Sequence, residues 1–350
     1  MLGFRNIALQ QDQATSAREG APGEGPKDGL TAALVRRSAA GLEDCGPREL
    51  ARRLRDAAAI DLSLGRLLEG HANALRLIMI HGDDADRTAL RSDLNAGKTF
   101  GVWGADSTSP VNADRGRLSG AKRFASGLGT VDKAIVTSGR GAEQQLYLVD
   151  ASDPARHDPD SWDMSGMQAS RSGRFDCSDL AARPIGAPGC YTTEPHFVGG
   201  TWRIAAVAVG GIIGLLERTA AQLQARDQLQ ADAHLLRLSP ISLRVTAAWA
   251  AVLRAGTFAQ GATGAATPEK AAVLSVSMRL LTEELGQDCI AAVEQSVGLS
   301  MFAADDDIGC HARDLACYLR QAARDAFLIQ VGRAMLGEPG GMAEWLDDCD

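Results

Sequence analysis

An excess of cations is missing from this chain. Its 350 residues carry 36 lysines and arginines against 44 aspartates and glutamates, a formal charge of -8 with a pI near 5.3. That balance argues against a nucleic-acid partner, because phosphate-backbone binding needs clustered cations to replace condensed counterions. Paired cysteine spacing is missing too. The seven cysteines, Cys45, Cys177, Cys190, Cys289, Cys310, Cys317 and Cys349, are odd in number, scattered and without a C-x-x-C pair. With no secretory signal ahead of them, they are expected to be reduced thiols of a cytoplasmic protein. No apolar run suits a bilayer: Ile204 to Leu216 is glycine-rich and falls short of the roughly 20 residues a span requires, so no membrane span is expected.

With 45% hydrophobic and 23% charged residues, the chain can bury a sizeable core in two or three subdomains. Residues 10 to 30 hold Gln, Ser, Gly, Pro and charges with almost no bulky apolar side chain. Residues 1–30 are therefore expected to be a disordered tail. Over 31–97 apolar residues recur at three and four residue spacing, as in Leu64, Leu67, Leu68, Leu75 and Ile78, which predicts a helical domain. Over 98–187 the period shortens toward two and Gly and Pro multiply, which predicts a β domain. Over 188–345 long helical runs return: Trp202 to Leu238, Ile241 to Thr257, Pro268 to Val297 and Ala312 to Leu336. Pro268 suits a first helical turn, where its missing amide hydrogen costs nothing. The expected fold class is α+β, mostly α: a helical domain, a middle β domain and a four-helix bundle.

The stretch Leu118-Ser-Gly-Ala-Lys-Arg-Phe-Ala-Ser-Gly127 puts a glycine-centred turn before an alternating strand. On an extended strand Phe124 and Ser126 point to one face, a flat apolar surface beside a hydroxyl. An aromatic in an ordinary hairpin core is the alternative. Trp103, in Phe100-Gly-Val-Trp-Gly, is either a core residue or a ring placed against a ligand. Asp305-Asp-Asp307 invites a metal, but adjacent carboxylates splay, and a solvated run is the commoner outcome. His71 and His81, on an amphipathic helix, read as packing or surface residues.

Gly120, Lys122, Phe124, Ser126 and Gly127 resemble the middle-domain signature of the acyl-CoA dehydrogenase family, in which such a strand passes the flavin ring. Gly166-Met-Gln-Ala-Ser170 is similar to that family's Gly-Met-Arg-x-(Thr/Ser) turn, with Gln168 in place of Arg. Gln295-Ser-Val-Gly298 resembles its Q-x-x-G motif beside the adenine, with Leu299 where a second glycine is usual. Arg226-Asp-Gln-Leu-Gln230 stands near its R-x-x-F-G motif without the Phe and Gly. The resemblance spans about Asp61 to Leu336, and the opening helical domain is shorter than usual. It implies FAD as cofactor, Trp103, Phe124, Ser126, Gln295 and Gly298 as cofactor-binding residues, and a homodimer or homotetramer. It also implies a small-molecule substrate, with an acyl-CoA as one option.

The family's catalytic glutamate is absent. One position, nine residues after the Arg313-Asp314 pair, is Ala322; the other, before the arginine opening the first bundle helix, is Trp202. Asp314, Asp325, His311 and Glu194 are candidate substitutes, and the backbone near Ala322 could still polarise a carbonyl. Three functions follow as expectations: an FAD-dependent dehydrogenase of acyl thioesters or related substrates, a flavin monooxygenase of the same fold, which needs no α-proton base, or a catalytically inactive scaffold.

Overall fold

The computed structural model describes residues 26–349. The expected tail over 1–30 thus lies mostly outside the described residues, and its last part does not: a helix begins at Pro26. Four helices open the described chain, α1 (Pro26–Ala39), α2 (Pro47–Ile60), α3 (Leu62–His81) and α4 (Asp84–Asn95). α2 starts on Pro47 and buries Leu50, Ala51, Leu54, Ala57 and Ala58, a single stripe at helical spacing. Asp61 ends it and caps α3, its carboxylate accepting from the Leu64 amide at 2.9 Å. Asp83 and Asp86 cap α4 reciprocally, at 2.7 and 3.0 Å.

Ten short strands follow. β1 (Phe100–Trp103), β5 (Lys133–Ser138), β6 (Gln145–Asp150) and β10 (Arg183–Ile185) form one sheet in that order, with β1 parallel to β5 and the other pairs antiparallel. β2 (Asn112–Asp114), β3 (Arg117–Ser119) and β9 (Leu180–Ala181) form a second. β4 (Ala121–Ala125) pairs with β8 (Gly173–Asp176), which pairs with β7 (His157–Asp158), in a third. Trp103, Leu118, Val136 and Phe175 lie in the shared core of these sheets.

The second helical part holds α5 (Trp202–Ala225), α6 (Asp232–Gln260), the short α7 (Ala262–Ala266), α8 (Pro268–Val297), α9 (Asp307–Tyr318), α10 (Arg324–Leu336) and α11 (Gly341–Asp347). The expected bounds of α8 match at both ends. The other three expected runs do not. The run from Trp202 breaks after Ala225, where Asp227 takes a left-handed φ of 55°, and the next helix passes through Pro240 instead of starting after it. Pro240 is exposed, so the Leu236 carbonyl it releases can bond water. The buried stripe Leu238, Ile241, Val245, Ala248 and Val252 continues unbroken past it. The run ending at Leu336 is likewise two helices, broken at residues 319–323 with Ala323 at φ 62°.

α5 is the central element, packed against α2, α6, α8 and α9. Val198–Ala225 is long and apolar enough to cross a membrane by length and composition, with a mean hydropathy of 1.6, but most of that window is buried in the fold. The acidic run Asp305–Asp307 serves helix ends: Asp306 caps α9 through the Gly309 amide at 2.8 Å, and Asp307 meets Arg218 at 3.0 Å. No cluster able to hold a metal occurs among the described residues.

Two buried histidines tie the layers together. His71 Nδ1 accepts from the Phe100 amide at 3.0 Å, joining α3 to β1. His311 Nε2 lies 2.8 Å from the Gly211 carbonyl, joining α9 to α5. Burial pulls both down to about 4. In the unfolded chain each takes its proton near 6.5, so between about pH 6.5 and pH 4 unfolding takes up as many as two protons. Stability is expected to fall over that window as the pH drops, with a slope reaching about 2.7 kcal/mol per pH unit from these two groups. Denaturant unfolding curves at half-unit pH steps measure it; a flat profile would refute the assignment.

Candidate functional site

Two cavities meet between the β sheets and the helices, sharing Arg66, Phe124, Tyr318 and Gln321 in their walls. The first, a slot of about 380 Å³, is bounded on the β side by Phe124, Ser126, Trp162, Ser170 and Ser172 and on the helical side by Cys317 and Tyr318. The second, a chamber of about 370 Å³, lies between α3, the end of β1 and the start of α5.

Phe124 reaches the slot by an irregularity, not by regular alternation. It takes a left-handed φ of 57° where the pairing of β4 with β8 shifts between Lys122 and Ala125. Phe124 is 45% exposed, with Trp162 edge-on to its ring at 5.9 Å and the Arg123 guanidinium 4.9 Å away. Ser126 is buried in a row of hydroxyls. Its Oγ accepts from Ser172 at 3.0 Å, Ser172 and Ser170 lie 2.8 Å apart, and Ser170 donates to the Met167 carbonyl at 2.6 Å. Ser126, at the end of the row, lies in the slot wall.

Beneath this strand the support is dense. Trp103 is core, 2% exposed, with its ring on Phe175 at 4.8 Å and its indole N–H donating to the Ser126 carbonyl at 3.1 Å. It also reaches the chamber wall. Lys122 is fully buried and gives its ammonium three acceptors: Asp106 at 2.6 Å, the Thr137 hydroxyl at 3.0 Å and the Gly104 carbonyl at 3.3 Å. The Gly166–Ser170 turn docks on α9. A Cβ on Gly166 would stand 2.4 Å from the Arg313 carbonyl, and the Met167 amide donates to Asp314 at 2.5 Å. Gln168 bonds the Met164 carbonyl and so serves the turn itself.

The chamber owes its character to α3. Arg66, Glu69, Asn73 and Arg76 follow one another at spacings of three, four and three on an otherwise apolar helix, which places them on one face. Glu69 is buried, paired with Arg66 at 2.6 Å and bonded by the Asn73 amide. The Asn73 carbonyl accepts from Arg203 Nε at 2.5 Å. Arg203 is 5% exposed, fits only because residue 200 is glycine, and is pulled down to about 10 by burial and by Arg76. Arg76 lies 3.4 Å from His196 Nδ1, and burial together with Arg76 and its other neighbours depresses His196. Tyr318 stands where the cavities meet. Its hydroxyl is buried without a protein partner and is pushed well above its usual range by burial and by Glu69.

None of the expected substitute bases walls either cavity. Asp314, raised to about 6 by burial, holds the Met167 amide. His311 is a strut to Gly211. Glu194 accepts from the Val198 and Gly199 amides at 2.9 Å each and staples the loop before α5. Asp325 is exposed beside Arg324. Ala322 lies in the break before α10, its carbonyl accepting from Arg279 at 2.7 Å, and Trp202 is fully buried. Gln295 and Gly298 are exposed at the end of α8 and reach neither cavity; Arg226 lies near them, 3.5 Å from Ser300. The residues that sequence reasoning missed are Glu69, Asn73, Arg76, Tyr191, Arg203 and Tyr318. Only the polar stripe on α3 offered a local signal for any of them.

No family model and no curated protein matches the chain by sequence. Solved structures do match in shape. Dibenzothiophene monooxygenase TdsC from Paenibacillus sp. A11-2 superposes with a TM-score of 0.73 at 16% identity, over 95% of this chain and 94% of that one. It has also been solved with FMN and indole. Butyryl-CoA dehydrogenase from Megasphaera elsdenii gives 0.71 at 15% identity over 89% of each chain. HsaA monooxygenase from M. tuberculosis gives 0.67 at 15% identity over 85% of this chain and 84% of that one. The fold is therefore that of the acyl-CoA dehydrogenases, as the sequence motifs led one to expect.

Proposed function

We infer that the chain is a flavin-dependent oxidoreductase of the oxygen-using, hydroxylating kind, built on the acyl-CoA dehydrogenase fold. The carrying observation is a chamber whose one carboxylate, Glu69, is tied by Arg66 and Asn73, while Trp202 and Ala322 occupy both of the family's base positions. Abstraction of an α-proton needs a free base within reach; hydroxylation by reduced flavin and oxygen needs none on the protein.

The slot fits a flavin ring. Phe124 and Trp162 give flat apolar faces, Ser126 a hydroxyl and Tyr318 an unpartnered hydroxyl at the border with the chamber. A bound flavin would supply the electrons and the oxygen activation. The chain's own work is to seat the ring against Phe124, to fix Ser126 through Trp103 and Ser172, and to orient the substrate through the α3 stripe. FMN suits the site better than FAD, because Leu299 stands beside Gly298 where a second glycine would let the backbone close on an adenine. FAD would require the exposed surface at Gln295 and Gly298 to meet the adenine of a cofactor from a neighbouring copy in a homodimer or homotetramer.

The test is the absorbance spectrum after incubation with FMN or FAD and gel filtration. Retained flavin bands are expected with FMN, and Phe124→Ala should weaken the flavin about tenfold. Supplied reduced FMN should then consume oxygen with formation of a hydroxylated product. A protein that retains neither flavin and turns over with neither would defeat this reading and favour a scaffold. Glu69 favours a second reading, dehydrogenation of an acyl thioester with this residue as base. Anaerobic bleaching of bound flavin by octanoyl-CoA, lost in Glu69→Gln, would establish that reading in its place.

A further inference from the structure

We propose that the chamber binds the carboxylate of a medium-sized, otherwise apolar substrate, gripped by Arg76 and Arg203. Four arginines, Arg66, Arg76, Arg123 and Arg203, line it against the single carboxylate of Glu69. Glu69 is already taken by Arg66 at 2.6 Å. Among the described residues neither Arg76 nor Arg203 forms an ion pair with a carboxylate: Arg203 gives its Nε to Asn73 and lies over the Trp202 ring at 5.3 Å, and Arg76 meets the Nδ1 edge of His196 at 3.4 Å.

Arg203 is the decisive group. A guanidinium that is 5% exposed, and whose one nearby carboxylate, Glu69, is already held by Arg66, is only partly compensated in the unliganded protein. Its two terminal nitrogens lie beside Gly200, where any Cβ would come within 2.3 Å of one of them. A planar fork kept open in this way matches a carboxylate, which can accept two parallel hydrogen bonds. Leu77, Ile80 and Val102 line the same space and would cover an apolar body. The word substrate rests on the flavin-enzyme reading above; the binding itself does not.

The experiment is calorimetric titration of the full chain, freed of flavin, with octanoate and with neutral octanamide at low ionic strength. Octanoate is expected to bind at least about tenfold more tightly, as a charge-assisted hydrogen-bond pair allows. Arg76→Met should abolish that discrimination while leaving the thermal midpoint of the free protein unchanged or higher, because an unneutralised cation has gone. A purely structural arginine would do the opposite, lowering the midpoint and keeping the discrimination, and that result would overturn the proposal. Arg203→Lys keeps a charge but loses the fork, and should weaken octanoate severalfold; unchanged binding in it counts against the assignment. Equal affinity for octanoate and octanamide in the parent protein also overturns it. So does an Arg76→Met protein that releases FMN, retains riboflavin and still prefers octanoate, since the anion would then be the cofactor's phosphate. Loss of all flavin binding with octanoate discrimination intact would sink only the flavin reading.

Discussion

Asp106→Ala is expected to destabilise the protein by about 3–5 kcal/mol, while Lys122→Met costs about 1 kcal/mol or less. The asymmetry follows from where the two ends of this ion pair lie. Lys122 is fully buried, whereas the Asp106 side chain is 21% exposed and also accepts from the Val111 amide at 3.2 Å. Removing the carboxylate strands an ammonium that has only a hydroxyl and a carbonyl left. Removing the ammonium leaves a carboxylate that water and a backbone amide can still serve, and methionine fills the tunnel with similar volume. Burial already lowers the Lys122 pKa against the pull of Asp106. The Asp106→Ala deficit should therefore narrow as the pH rises, because losing the proton removes the charge that burial penalises. Urea denaturation of both variants and of the double mutant measures it. Failure of Lys122→Met to rescue Asp106→Ala would show that the pair is not the reason for the loss. Because Lys122 precedes the irregularity that turns Phe124 into the slot, Asp106→Ala should also weaken flavin retention.

Gly210→Val is expected to cost about 4 kcal/mol or more, enough to leave little folded protein. α2 crosses α5 backbone to backbone. A Cβ on Gly210 would stand 2.2 Å from the Arg55 carbonyl, and one on Gly214 would stand 2.4 Å from the Ala59 carbonyl. Neither obstacle is a flexible side chain, so the helices themselves would have to part. The change would also shift α5, whose first turn holds Arg203. Gly332→Ala in α10 is the matched control. Nothing lies within 4 Å of that Cβ position, so the better helix former should raise stability by up to about 1 kcal/mol. Thermal melts of the two variants should move in opposite directions; a tolerated Gly210→Val would mean that the crossing is looser than described.

The parts of the fold that were legible in the sequence are those with local causes. Pro268 and Gly298 bracket α8 because a proline opens a helix without losing a bond and a glycine at φ 77° closes it. The breaks around residues 226–231 and 319–323 carry no comparable mark, and Pro240 misled because an exposed proline interrupts a helix only on its wet side. The slot was partly legible. Phe124 and Ser126 announced themselves through a turn motif, although a bulge brings them together, not the even alternation expected of an extended strand. The chamber was not legible as a whole, since α3, Tyr191, Arg203 and Tyr318 are brought together only by tertiary packing. Asp314, His311 and Glu194 are chemically capable, but each is occupied in holding a turn, a helix or a loop.

The division of labour between slot and chamber bears on how such a protein can diverge. Arg66, Glu69, Asn73 and Arg76 stand on one rigid helix, while Phe124, Ser126 and Ser172 stand on strands from another part of the chain. Under the proposed function, point changes at Glu69, Asn73 and Arg76 would therefore alter which molecules are accepted without touching the slot wall, which only Arg66 of these four helix residues reaches. Drift in the strands is constrained instead by the Lys122 anchor and the Trp103 prop beneath them. On that reading a lineage would explore new substrates one helix position at a time, and Phe124, Arg66, Tyr318 and Gln321, which border both spaces, would have to satisfy two demands at once.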